Sequence, residues 1–271
     1  MKILVTVKQV PDTSGKVSVK PDGTLDRGSM KTIINPDDLN AVEAALSLKD
    51  EYGCQVVAFT MGPPPAEGML RELMAMGVDE GVLVTAREFG GSDTYATSQI
   101  LAAAVETYGL GEDDIIFAGR QAIDGDTAQV GPQVAEKLGL PQVTYAEEIT
   151  EIKADSLVIK RRLNCGMETV ETPVPVVVTV NASAPECRPR NAKRVMTCKF
   201  ALAKSEIAAA PDSPAAKRAA AKEYLQIVEW AAADVNPDPQ QLGLAGSPTK
   251  VKKIENVVFQ AKEAKKLTSS D

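Results

Sequence analysis

The chain reads as an α/β protein, with a parallel twisted sheet covered by helices on both faces, then antiparallel strands and an extended C-terminal arm. Three observations predict this. Strand-like and helix-like segments alternate through residue 145. The strand-like segments are continuously apolar, as strands buried on both faces must be. The helix-like segments close on glycine, at Gly77, Gly109 and Gly139.

In order, residues 2–9 are apolar and β-branched and stop at Pro11, which predicts a buried first strand. Residues 16–25 read as a hairpin turning at Asp22-Gly23. Asn35-Pro36-Asp37-Asp38 is a helix-start signal, and the helix that follows puts Leu39, Val42 and Leu46 on one face. Residues 54–60 form a strand, residues 66–76 a helix with Leu70, Leu73 and Met74 inward, and residues 81–86 a strand. Asp93 caps a helix ending near Tyr108. Residues 114–118 are a strand, 127–138 a helix, and 143–145 the start of another strand. The rhythm then changes: residues 157–162, 168–172 and 174–180 look like antiparallel strands. Residues 184–199 are irregular and hold Arg188, Arg190, Lys193 and Arg194. Residues 201–224, rich in alanine, lysine and proline, read as a linker of weak helix character. The remaining tail holds Tyr224, Trp230, Leu242, Leu244 and Phe259, and is expected to lie across another surface. The expected division is residues 1–200 as the α/β domain and residues 201–271 as linker and arm.

Composition narrows the function. With 271 residues, 44% hydrophobic and 25% charged, the chain supports one large domain with an appendage. A net charge of −7 argues against nucleic acid as a partner. No stretch approaches the roughly 20 apolar residues of a membrane span, and the N-terminus lacks the h-region of a signal peptide, so the cytoplasm is the expected location. Cys54, Cys165, Cys187 and Cys198 form no CxxC pair, which removes support for zinc or dithiol chemistry. Histidine is absent, which removes the usual general base and favours chemistry carried by a bound cofactor.

The segment of most interest runs from Ile115 through Gly119-Arg120-Gln121-Ala122-Ile123-Asp124-Gly125-Asp126-Thr127-Ala128-Gln129-Val130. It reads as strand, glycine-bearing loop and helix, with the free N–H groups of Thr127, Ala128, Gln129 and Val130 placed for a phosphate. An ordinary β–α turn with an aspartate cap has the same shape. Neither GxGxxG nor GxxxxGK[ST] is present. Asp124 and Asp126 should repel a pyrophosphate unless they face hydroxyls, amides or cations. Thr6-Val7-Lys8 and Thr60-Met61-Gly62-Pro63 are two further turns expected on the same sheet edge, with Lys8 placed to meet a phosphate.

These stretches also resemble a known family. The runs 7–12, 35–36, 61–63, 75–77, 119–127, 168–170, 175–179 and 246–250 are similar, in order, to electron-transferring flavoprotein beta subunits. The resemblance implies a heterodimer with an FAD-carrying alpha subunit and a nucleotide in the 119–130 loop, and Thr6, Val7, Lys8 and Met61 of the two neighbouring turns are expected to line the same site. That nucleotide is AMP in ordinary members. In bifurcating members it is a second FAD that accepts hydride from NADH and passes electrons to an acyl-CoA dehydrogenase and to ferredoxin or flavodoxin. Asp124-Gly125-Asp126-Thr127 and the small Ala128 resemble the bifurcating group. The resemblance assigns partner recognition to residues 185–192, with Glu186, Arg188, Arg190 and Ala192. Ala192 stands nearest the place of the family's leucine anchor, and Asn164-Cys165-Gly166 departs from its usual acidic-Gly-Gly. The readings left open are a bifurcating flavoprotein, an ordinary adaptor holding AMP, and an adenine-nucleotide sensor of similar fold.

Overall fold

The computed structural model describes residues 1–12 and 31–250. The hairpin expected at 16–25 and the tail beyond residue 250, with Phe259, lie outside the described residues. In chain order the strands are β1 (Lys2–Thr6), β2 (Gln9–Pro11), β3 (Thr32–Ile34), β4 (Gln55–Met61), β5 (Glu80–Val84), β6 (Ile115–Gly119), β7 (Gln142–Ile152), β8 (Ser156–Leu163), β9 (Gly166–Pro173), β10 (Val176–Val180), β11 (Leu202–Ala203) and β12 (Gln226–Trp230). The helices are α1 (Pro36–Tyr52), α2 (Glu67–Met76), α3 (Thr94–Tyr108), α4 (Val130–Leu138), α5 (Ala192–Cys198), α6 (Lys204–Ala209), α7 (Pro214–Ala220), α8 (Ala232–Val235) and α9 (Gly243–Gly246).

The main sheet has the order β11-β12-β5-β4-β1-β6-β10-β7-β8-β9, parallel from β11 to β7 and antiparallel from β7 to β9. The predicted parallel α/β sheet is therefore present. β6 and β10 are buried along their whole length, which accounts for their unbroken apolar sequences. Alternation within β1 sends Ile3 and Val5 to the core beneath α1 and α2, and Leu4 to the opposite core beneath α3. α1 ends on a glycine: Gly53 adopts φ 70° and donates its N–H to the Lys49 carbonyl. β1 lies between β4 and β6, and the chain builds outward from it in both directions. This reversal is a topological switch point, and ligands of open α/β sheets sit outside the strand ends there.

Two sequence expectations are corrected. The segment at 174–180, expected as antiparallel, is the central parallel strand β10, inserted between β6 and β7. Its five buried residues carry no in/out alternation, as befits a strand covered on both faces. Residues 201–224 are not a linker. β11 and β12 extend the main sheet beyond β5, with α6 and α7 between them. Two residues of β11 and the alanine-rich helices carry little periodic signal, so composition alone concealed them.

The tail through residue 250 also packs on the chain's own body. Trp230 meets Phe59 and Tyr108 at ring-centroid distances of 6.3 Å each. Ser247 Oγ accepts the Asp93 N–H at 2.9 Å, and Asp93 Oδ2 accepts both the N–H and the hydroxyl of Thr249 at 2.9 and 2.6 Å. The same carboxylate caps α3 through the Ala96 N–H at 3.0 Å. These bonds to the ionised form outweigh its partial burial and hold the carboxyl below its ordinary range.

A chain truncated after Leu225 is expected to lose β12, bare the β5 edge and uncover the Phe59–Tyr108 face. It should aggregate or melt well below the full-length chain in a thermal scan. Melting at the full-length temperature would show that residues 226–250 are dispensable to the body.

Candidate functional site: a crevice at the strand reversal

The crevice lies where the carboxyl ends of β1 and β6 meet the first turn of α1. The first residue past β1, Val7, is buried and donates its N–H to the Phe59 carbonyl of β4 at 2.8 Å. Lys8 is the first exposed side chain, and its Nζ reaches Asp124 Oδ1 and Oδ2 at 2.7 and 2.8 Å. That ion pair joins the first turn of the chain to the 119–130 loop. It answers the expected repulsion in part, because Asp124 faces a cation. Lys8, expected to meet a phosphate, thus stands half-exposed at the loop with Asp124 as its partner. The second acid, Asp126, accepts a hydrogen bond from Gln121 Nε2 at 2.8 Å.

The loop is longer than expected. α4 begins at Val130 rather than Thr127, because Asp126 and Ala128 adopt φ of 49° and 52°, which no helix tolerates. The Gly125 and Asp126 N–H groups donate to the Ala122 carbonyl at 3.2 and 2.9 Å, closing a tight turn. Among the described residues, no acceptor meets the backbone N–H groups of Thr127, Ala128, Gln129 or Val130. Asp124, Gly125, Asp126 and Thr127 are exposed, and a Cβ placed on Gly125 meets nothing within 4 Å. Gln129 Oε1 accepts the Thr94 hydroxyl at 2.9 Å, tying the loop to the first turn of α3 beside the Asp93 cap. Met61 shares the sheet edge but is partly buried against the core under α3.

Three side chains of the α1 start hold the other side of the crevice. Asn35 Nδ2 donates to the Gln121 carbonyl at 2.8 Å, and Asn35 Oδ1 accepts the Ile123 N–H at 3.1 Å. Asp37 Oδ2 accepts from Arg120 Nε at 3.2 Å. Asp38 Oδ2 accepts the Lys8 N–H at 2.7 Å and Oδ1 accepts the Gly119 N–H at 3.1 Å. Burial pushes the Asp38 carboxyl up to about 7, against hydrogen bonds that favour its charge. Sequence reading used these three residues as a helix start, and Asn35 also as part of the family resemblance, but assigned none of them to the site. The available signal was a cluster of hydrogen-bonding side chains at a helix start that a parallel fold puts at the ligand-bearing edge.

The residues assigned to partner recognition lie elsewhere. Residues 181–191 run along α1: Asn40 Nδ2 donates to the Ala184 and Pro185 carbonyls at 2.9 Å, and Arg188 forks onto Glu43 and reaches Asp50. Asn191 then donates its N–H to the Ala75 carbonyl and caps α5. Arg188 holds the Glu43 carboxyl below its ordinary range, against the opposing effect of burial. Glu186, Arg190 and Ala192 are exposed. A cleft of about 520 Å3 lined by Leu46, Lys49, Met76 and the arginines of this loop lies here, away from the β1–β6 edge. Among the described residues, no helix is long and apolar enough to cross a membrane.

Two substitutions separate these regions. A Cβ on Gly119 would stand 2.6 Å from the Asp37 carbonyl carbon and from the Asp38 nitrogen, so Gly119→Ala must push α1 off β6. A loss of about 1–3 kcal/mol is expected in chemical denaturation, and an unchanged midpoint would refute the contact. Arg188→Ala should loosen residues 185–191 to limited proteolysis and lower stability by about 1–2 kcal/mol, whereas Arg190→Ala should do neither. Equal protease resistance in both variants would show that the Arg188 fork does not anchor the loop.

The family comparisons agree with this architecture. Residues 22–205, more than half of the chain, match the electron transfer flavoprotein domain. The chain is 65% identical over 179 residues, 66% of its length and 67% of the relative's, to acryloyl-CoA reductase electron transfer subunit gamma of Anaerotignum propionicum. It is 46% identical to electron transfer flavoprotein subunit beta of Clostridium acetobutylicum, covering 93% of this chain and 87% of that one. It is 42% identical to caffeyl-CoA reductase-Etf complex subunit CarD of Acetobacterium woodii, covering 93% and 86%. With the family model and full-length relatives in agreement, the chain belongs to the electron transfer flavoprotein beta-subunit family.

Proposed function

We propose that the β1–β6 crevice binds FAD, and that the chain acts beside an FAD-carrying alpha subunit as a bifurcating electron transferase. In this reading NADH gives up an electron pair, one electron going to an acyl-CoA dehydrogenase and one to a low-potential carrier such as ferredoxin or flavodoxin. The observation that carries it is the combination at the loop. Backbone N–H groups of Thr127 to Val130 lack acceptors within the described chain, and the space beside Gly125 is open. Of these, the Val130 N–H opens α4, where a helix start favours an anion by about 0.3–1 kcal/mol when exposed and up to about 2 when partly buried, and those of Thr127 to Gln129 belong to the loop that leads into it. An adenylate phosphate satisfies them in AMP and FAD alike, so the helix start does not choose between the two. The surface beside Gly125 is unobstructed within 4 Å of a Cβ placed there, which supports a ligand larger than AMP.

The residues present fit such a group. Lys8 neutralises Asp124, Gln121 holds Asp126, and Arg120 faces Asp37, so each of these acids already has a partner before an anion arrives. FAD, when bound, supplies hydride acceptance and one-electron transfer, so the chain requires no histidine or reactive thiol of its own. Cys54 and Cys198 are buried, and burial raises both thiols above their ordinary range, which disfavours thiolate chemistry. The names of two relatives associate them with acryloyl-CoA and caffeyl-CoA reductases, which supports an acyl-CoA partner for this chain as well.

The test is the flavin content of the chain co-purified with its partner subunit and supplied with excess FAD. Two flavins per heterodimer are expected. Gly125→Val points into open space, so its melting temperature should stay at the wild-type value while one flavin and the reduction by NADH are lost. One flavin and one AMP in the wild-type heterodimer would replace bifurcation with the ordinary adaptor.

A further inference from the structure

We infer that Asp38 is the positioning residue of the crevice, whose carboxylate sets the gap between the β1 turn and the β6 loop and thereby nucleotide affinity. The inference rests on the nucleotide reading above. Its two oxygens are divided between two separate turns, with Lys8 N–H on Oδ2 at 2.7 Å and Gly119 N–H on Oδ1 at 3.1 Å. Both donors are backbone groups, so the carboxylate fixes main-chain separation rather than a side-chain rotamer. Only 6% of Asp38 is exposed, so the group acts through the turns it holds.

The consequence is geometric. Gly119 begins the loop whose 127–130 N–H groups lack acceptors among the described residues, and Lys8 carries the cation that offsets Asp124. A change at Asp38 moves both sides of the crevice at once. The Asn35 side chain bonds Gln121 and Ile123 while its backbone N–H donates to the Lys8 carbonyl at 2.9 Å, and Asp37 bonds Arg120; Asp38 differs in holding both turns through one side chain. An amide in its place keeps one acceptor but presents an N–H to a second N–H. A buried donor then loses its partner while shape and volume are kept.

Charges facing this carboxyl come from its own helix in Asp37, from the β1 turn in Lys8, and from the β6 loop in Arg120 and Asp124. Lys8 and Arg120 are each paired with another acid, and Asp37 disfavours the charge on Asp38. Its protonation near neutral pH therefore reports on the clamp itself. FAD is the suitable probe across this range, because its phosphates form a diester-like pyrophosphate, whereas the AMP monoester gains a proton near pH 6.

The experiment uses the full chain, wild type and Asp38→Asn, with FAD titrated from pH 6 to 8.5, AMP titrated at pH 8, and the Lys8 and Gly119 amide resonances followed. In the wild type the two amides should titrate together with an apparent midpoint near 7, and FAD affinity should change across the same interval. In Asp38→Asn both amides should stop titrating, and affinity for FAD and AMP at pH 8 should fall about tenfold, with a modest loss of melting temperature from the unpaired donor that leaves the variant folded. Wild-type nucleotide binding with unchanged affinity in Asp38→Asn overturns this inference and leaves the nucleotide reading standing. No binding of FAD or AMP by the wild type overturns both. If the variant does not fold, the wild-type titration decides: amides that titrate apart, or affinity that is flat across their interval, overturn the inference.

Discussion

The contact between the start of α1 and the carboxyl ends of β1 and β6 governs this molecule. A parallel sheet places strand ends and helix starts on one edge, but proximity alone does not join them. Here Asn35, Asp37 and Asp38 supply hydrogen-bonding side chains that reach Lys8, Gly119, Arg120, Gln121 and Ile123. The joint is close enough that only glycine fits at 119. Burying the Asp38 carboxylate is unfavourable, as its raised pKa records. The fold keeps it where two backbone N–H groups need an acceptor, and such groups left bare would be costly in their own right.

From that joint the rest follows in two directions. On the loop side, the fixed strand end lets residues 124–127 remain exposed and the 127–130 N–H groups go without acceptors among the described residues, while Thr94 and Lys8 steady the loop from its flanks. On the outer side, the chain leaving β10 runs down α1 through Asn40, Glu43 and Asp50 before capping α5. α1 is thus shared by the crevice and by the segment assigned to partner recognition. It touches the first through its opening turn and the second along its length.

Much of this was legible in the sequence. The apolar strands, the glycine stops and the Asp93 cap were readable because local physical rules determine them. The family was readable because several motifs recur in order. The parallel placement of β10 was hidden, since a short apolar run does not declare its direction. β11 and β12 were hidden because alanine-rich helices and a two-residue strand resemble linker. The start of α4 was misplaced by three residues because positive φ at Asp126 and Ala128 arises from the turn as a whole. The Lys8–Asp124 and Asp38–Gly119 contacts join residues 116 and 81 positions apart, and no local pattern encodes such pairs.

The central claim is that nucleotide is received where β1, β6 and the start of α1 converge. Hydrogen–deuterium exchange of the full chain with and without FAD tests it most directly. The account predicts new protection concentrated in residues 6–9 and 119–131, with little change in 185–199. Protection confined to 185–199, with the β1 and β6 ends unaffected, would contradict it.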